Sequence, residues 1–211
     1  MKSLPTILCF VQYYLPGYRS GGPVRSISNF VDSIGDRFNI KIITSDHDSF
    51  ENKSYENIKI NQWNYVRNAK VYYASKNSLS FKNINKIMNN TDYDILYLNS
   101  VFTKNFSIYP LVINKLGLAT KKPTVIAPRG ELSAGALSLK SLKKNIFLTL
   151  SKKVRLFEDL IWQASNKEES EHIQRELLLE KSSIFVVPNL TRSNDLNLNH
   201  EKKIINKLDK S

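Results

Sequence analysis

Short apolar runs alternate along this chain with stretches whose apolar residues recur every three or four positions. The first pattern marks buried strands and the second marks helices packed on them. Residues 6–12 are a continuous apolar run and predict the first strand. Residues 13–23, which carry Pro16, Gly17, Gly21, Gly22 and Pro23, predict a loop. Val24, Ile27, Val31 and Ile34 follow at helical spacing with Gly35 as the stop, and residues 38–44 predict a second strand. Strand, loop, helix, strand is the signature of a parallel βαβ unit.

The alternation continues. Residues 45–57 read as polar loop, and residues 58–63 and 69–73 as two short strands of a hairpin. Phe81, Ile84, Ile87 and Met88 mark a short helix, and residues 94–98 a strand that ends at Asn99-Ser100. Residues 106–116 predict a helix with Pro110 near its start, and residues 124–127 a further strand. Leu139, Leu142, Ile146 and Leu150 share one helical stripe. Residues 160–164, 167–179 and 184–187 predict a strand, a helix and a last strand closed by Pro188-Asn189. Beyond Leu190 the periodicity weakens, so residues 191–211 are expected to be a polar tail or an interdomain linker. The pattern predicts one doubly wound α/β domain with a parallel sheet over residues 1–190.

Charge adds a preference for partners. The 31 Lys and Arg against 19 Asp and Glu favour anionic partners: nucleic acid, anionic lipid, nucleotides or sugar phosphates. Nucleic acid is not expected, because there is no helix-turn-helix, zinc-finger or aromatic RNA-binding motif. The single cysteine, Cys9, sits in an apolar run and reads as a core residue; a disulfide framework within the chain is excluded. The run at residues 7–11 is too short for a signal-peptide core, and no segment nears the ~18 apolar residues of a membrane span. The expected place is the cytoplasm, with peripheral contact at the inner face of the cytoplasmic membrane left open.

Candidate chemistry lies where loops leave the carboxyl ends of strands, since ligands bind there in open α/β sheets. Pro128-Arg129-Gly130-Glu131 puts a cation and a carboxylate at such a point. Gly21-Gly22 precedes a helix start, where free N–H groups and the positive dipole end suit a phosphate; a plain tight turn would have the same sequence. The pair matches neither the dinucleotide fingerprint nor a P-loop. Asp46-His47-Asp48 has the form of a divalent-metal motif, yet reads better as a polar loop at a strand end, so no metal is expected. Tyr18, among turn residues, is a better candidate for stacking on a sugar than Trp63. Between Glu131 and Glu158 lie six basic residues and no acid: Lys140, Lys143, Lys144, Lys152, Lys153 and Arg155. They read either as a membrane-facing helix attracted to anionic lipid or as a solvated helix face.

Five segments then stand in order. They are Tyr14-Leu15-Pro16-Gly17-Tyr18-Arg19-Ser20-Gly21-Gly22-Pro23, Ile43-Thr44-Ser45-Asp46, Ala127-Pro128-Arg129-Gly130-Glu131-Leu132, Ala164-Ser165 with Glu168-Glu169, and Val187-Pro188-Asn189. Together they resemble the N-terminal half of bacterial family 4 glycosyltransferases, the two-domain GT-B type that builds lipopolysaccharide and capsule or exopolysaccharide chains. The resemblance covers residues 4–190. It implies a Rossmann-like half domain that mainly holds the acceptor, a lipid-linked sugar or an oligosaccharide, with the nucleotide-sugar donor held by a second domain and no cofactor of its own. By resemblance, Gly21 and Gly22 approach the donor phosphates. Tyr18, Arg19, Asp46, Asn99, Arg129 and Glu131 line the acceptor side of the cleft. Ser165 and Glu169 precede the interdomain connection. The family's basic pair and Glu-Pro-Phe-Gly segment have no counterpart in residues 191–211, so no catalytic residue is assigned. Little transfer is expected of this chain without a donor domain, which a separate chain would supply. The competing expectation is a non-catalytic basic scaffold that binds a membrane or a partner.

Overall fold

The computed structural model describes residues 4–139 and 141–190. Its strands are β1 (Thr6–Phe10), β2 (Asn39–Ser45), β3 (Trp63–Val66), β4 (Ala69–Ala74), β5 (Ile95–Leu98), β6 (Thr124–Ile126), β7 (Leu160–Ala164) and β8 (Ile184–Val186). They form one sheet in the order β3-β4-β2-β1-β5-β6-β7-β8, parallel throughout except for β3 against β4. The helices are α1 (Gly22–Ile34), α2 (Phe81–Asn89), α3 (Tyr109–Lys115), α4 (Ala134–Ser138), α5 (Ser141–Lys153) and α6 (Lys167–Leu177). This is a Rossmann-like α/β fold with helices on both faces.

Side-chain alternation along the parallel strands divides the core in two. Ile7, Cys9, Ile42, Val71 and Tyr97 face Ile27 and Val31 of α1. Leu8, Phe10, Leu96, Leu98, Ile126 and Trp162 face the other side, packed by α2, α3, α5 and α6. Each fully buried Leu, Ile or Phe contributes ~1.5–3 kcal/mol. Cys9 is buried as expected, and burial pushes its thiol well above the usual range.

Three elements depart from the sequence pattern. The hairpin exists, but its first strand begins at Trp63 instead of residue 58. The Asn64 side chain accepts from the Lys59 N–H and donates to the Lys59 and Gln62 carbonyls, closing residues 59–64 into a turn before pairing begins. The helix after β5 is preceded by a wide π turn over Lys104–Ile108, and Pro110 stands in the first turn of α3. The lysine-rich helix is two helices, because Leu139 ends α4 in an extended conformation. The 191–211 tail lies outside the described residues, as does Lys140.

Candidate functional site

Because the strands are parallel, the loops after β1, β2, β5, β6, β7 and β8 all gather at one edge of the sheet. Gly21 stands there at the start of α1 with φ 61° and ψ −111°, a conformation only glycine adopts without strain. A Cβ on Gly21 or Gly22 would meet nothing within 4 Å, so the space in front of both is open. Among the described residues, the helix start has no side-chain cap and no acidic residue in its first turn, and none of them answers the N–H groups of Gly22 and Val24 or the positive dipole end. Tyr18, Gly21, Val24, Arg25 and Arg67 line a groove of about 490 Å³ beside this helix end. Tyr18 is exposed.

The loop that carries Tyr18 is held from below. Asp48, buried, accepts the N–H groups of Tyr18 (2.9 Å), Arg19 (3.2 Å) and Ser49 (2.7 Å). Burial alone would raise its pKa; these bonds and the Arg19 cation outweigh burial and hold it below the ordinary value of 3.8. Since the folded value is the lower one, the stability from this carboxylate is complete above 3.8 and disappears as pH falls through the folded value. The difference in melting temperature between wild type and Asp48→Asn is therefore expected to stay constant from about pH 8 to about pH 5 and to shrink below about pH 4. A difference that shrinks near neutral pH would disprove it. Asp46 is also buried, accepting from Ser54 Oγ (2.6 Å) and pairing with His47 Nδ1 (2.8 Å). Arg19 pairs with Glu51 at 3.0 Å.

On the other flank of α1 lies the turn after β6. Arg129 has φ 56°, unusual for a residue with a side chain. Its guanidinium donates to Asn99 Oδ1 (2.6 Å), to the Tyr97 hydroxyl (2.8 Å) and to Asn189 Oδ1. Asn189 Oδ1 also accepts from Ser26 Oγ of α1 (3.2 Å), and Asn29 donates to the Leu190 carbonyl (2.7 Å). Tyr97 donates to Gln163 Oε1 (2.8 Å), whose amide donates to the Val187 carbonyl (3.3 Å). Burial raises the Tyr97 hydroxyl to about 12 against the opposing pull of Arg129. One network thus ties β5, β6, β7, the end of β8 and α1 together.

Glu131 turns inward. It accepts from the Ser100 hydroxyl (2.9 Å) and the Val101 N–H (2.6 Å), holding the loop after β5. Burial pushes its carboxyl above the usual range, and those hydrogen bonds pull against it. Glu169, 5% exposed, accepts from the Gly130 N–H (2.5 Å), the Ser165 N–H (2.6 Å) and the Ser165 hydroxyl (2.6 Å). Its own N–H is capped by Asn166 (2.8 Å). The structure therefore separates the sequence candidates into three groups. Tyr18, Gly21 and Gly22 border open space. Arg129 and Asn99 form a bonded pair at the edge. Asp46, Arg19 and Glu131 bind other parts of the protein. Tyr97 also carries much of this architecture and was not singled out by sequence, whereas Gly17 and Asp48 entered only as members of the loop and of the Asp46-His47-Asp48 motif.

Among the described residues, no group of three or more His, Cys, Asp and Glu side chains is placed to hold a metal ion. No protein-family model matches the chain, and no curated protein matches it significantly. Among solved structures, a glycosyltransferase from Rickettsia africae matches at 12% identity and a TM-score of 0.48, over 96% of this chain and 50% of that one. The chain spans half the length of that structure. At that similarity the match adds nothing to the fold read from the strand order.

Proposed function

We propose that the chain is the acceptor-side half of a retaining glycosyltransferase, which moves a sugar from a nucleotide-sugar donor to a lipid-linked or oligosaccharide acceptor in surface-polysaccharide synthesis. One observation carries this reading: the uncapped start of α1 at Gly21-Gly22 opens on the same edge as the Arg129 turn. The ordered sequence motifs fall on that edge as well. In such a site the helix end meets the charge of the departing diphosphate, and preorganised donors of this kind are commonly worth ~3–4 kcal/mol each. The groove at Tyr18 takes the acceptor. The donor domain supplies the opposite wall, and transfer requires both.

Gly22 gives a clean test. Its φ is not in the left-handed region and a Cβ there meets nothing, so Gly22→Val is expected to change stability by no more than ~0.5 kcal/mol. The same change at Gly21 costs about 1–3 kcal/mol in backbone strain. Saturation-transfer NMR of the chain with a panel of oligosaccharide and lipid-linked sugar acceptors is expected to detect binding that Tyr18→Ala weakens about tenfold or more, while Gly22→Val, on the donor side, leaves acceptor binding unchanged and lowers transfer once a donor domain is present. A panel without a single binder, or acceptor binding indifferent to Tyr18→Ala, would sink the proposal.

A further inference from the structure

Helix α5 is apolar on two opposite sides, and the fold covers one of them. Leu148 and Ser151 are buried against the sheet, with Phe147 packed beside them. On the opposite side Leu142 (72% exposed), Ile146 (51%) and Leu150 (56%) stand in solvent, extended by Val154 (63%) just past the helix end. This is the stripe that the sequence pattern marked, turned outward. A helix apolar on both sides belongs between two apolar surroundings, and a continuous exposed apolar patch marks a contact surface.

The charges around the stripe say what covers it. Lys143 and Lys153 are exposed beside it, Lys152 is exposed on the flank of α5 nearer the core, and no Asp or Glu occurs between Glu131 and Glu158. Lys144 is turned away: its Nζ donates to the Ala136 carbonyl (2.5 Å) and lies over the Phe102 ring. Arg155 is exposed and pairs with Glu158. We propose that the outward face of α5 lies on an anionic lipid surface, with the aliphatic stripe at the acyl boundary and the lysines reaching the headgroups. A protein partner fits less well, because the stripe carries no Trp, Tyr or Arg of the kind that anchors protein interfaces. The contact is peripheral, since no described helix is long and apolar enough to cross a membrane. Between β6 and β7, α5 starts at the edge that carries the Arg129 turn, so the lipid surface adjoins the candidate site.

This inference rests on exposure and charge and needs no acceptor. Flotation of the 211-residue chain with vesicles of phosphatidylcholine alone, or mixed with phosphatidylglycerol, tests it. Binding is expected to the mixed vesicles only, at low salt. The triple change Lys143→Glu, Lys152→Glu, Lys153→Glu is expected to weaken it by at least about 100-fold. The double change Ile146→Ser, Leu150→Ser is expected to weaken it by at least about tenfold. All five side chains are exposed, so melting temperatures and glycan binding are expected to hold, which separates failure here from failure of the transferase reading. No binding to mixed vesicles at low salt overturns the proposal. So does binding that survives the serine changes. A wild-type dimer that the serine changes convert to monomer, without vesicle binding, also overturns it and makes a second copy the occupant.

Discussion

Replacing Glu169 with Ala is expected to cost about 3–5 kcal/mol, because three donors lose the buried charged acceptor they share. The carboxylate accepts from two backbone N–H groups, at Gly130 and Ser165, and from the Ser165 hydroxyl. Alanine leaves those donors without the acceptor they had. For a domain of this size the melting temperature is expected to fall by roughly 10 °C or more. Glu169→Gln should recover little, because its amide nitrogen must face a donor where an oxygen stood. The effect reaches the candidate site, since Gly130 adjoins Arg129. Thermal unfolding followed by circular dichroism checks the result, and an alanine variant melting within 2 °C or so of wild type would falsify it.

Gly17→Ala is expected to be strongly destabilising and to loosen the loop that carries Tyr18. A Cβ there would lie 2.3 Å from the Tyr55 hydroxyl and 2.9 Å from Asp48 Oδ1. Overpacking typically costs 1–3 kcal/mol or so. Here the displaced carboxylate also drops its hold on the Tyr18 and Arg19 N–H groups, so about 3 kcal/mol in total is expected. Hydrogen exchange at those two amides gives a local readout: faster in Gly17→Ala, and equally fast in Asp48→Ala. Unchanged exchange at both positions would show that the loop is not held from this carboxylate.

The strands and helices were legible wherever burial alone decides structure. Ile7 to Val11, Ile42 to Ile43 and Leu96 to Leu98 are apolar runs because both their faces are covered, and Val24, Ile27 and Val31 recur at helical spacing because one face of α1 is. Direction was harder to read. The stripe at Leu142, Ile146 and Leu150 has correct helical spacing, yet spacing does not say which side meets the core when Phe147 and Leu148 offer a second apolar side. The roles of polar residues were the least legible. Asp46, Asp48, Glu131 and Glu169 are all acids next to strand ends, and sequence alone cannot distinguish a carboxylate that waits for a ligand from one that collects nearby N–H groups. Tyr97 looked like one more apolar position in a strand, although its hydroxyl joins Arg129 to Gln163 across the sheet.

The order of the strands divides the chain in an unexpected way. Residues 6–74 build β3-β4-β2-β1 and residues 95–186 build β5-β6-β7-β8, so each half of the sheet is contiguous in sequence. A single strand pair, β1 with β5, carries the ladder between them, from Ile7↔Ile95 to Phe10↔Leu98. The bond between the exposed residues Lys76 and Asn77 is thus a natural place to sever the backbone. Two fragments made there would each keep a whole half-sheet and would recognise each other through one strand edge and the side chains on either side of it. The molecule is laid out as two complementary half-sheets joined by the segment that carries α2.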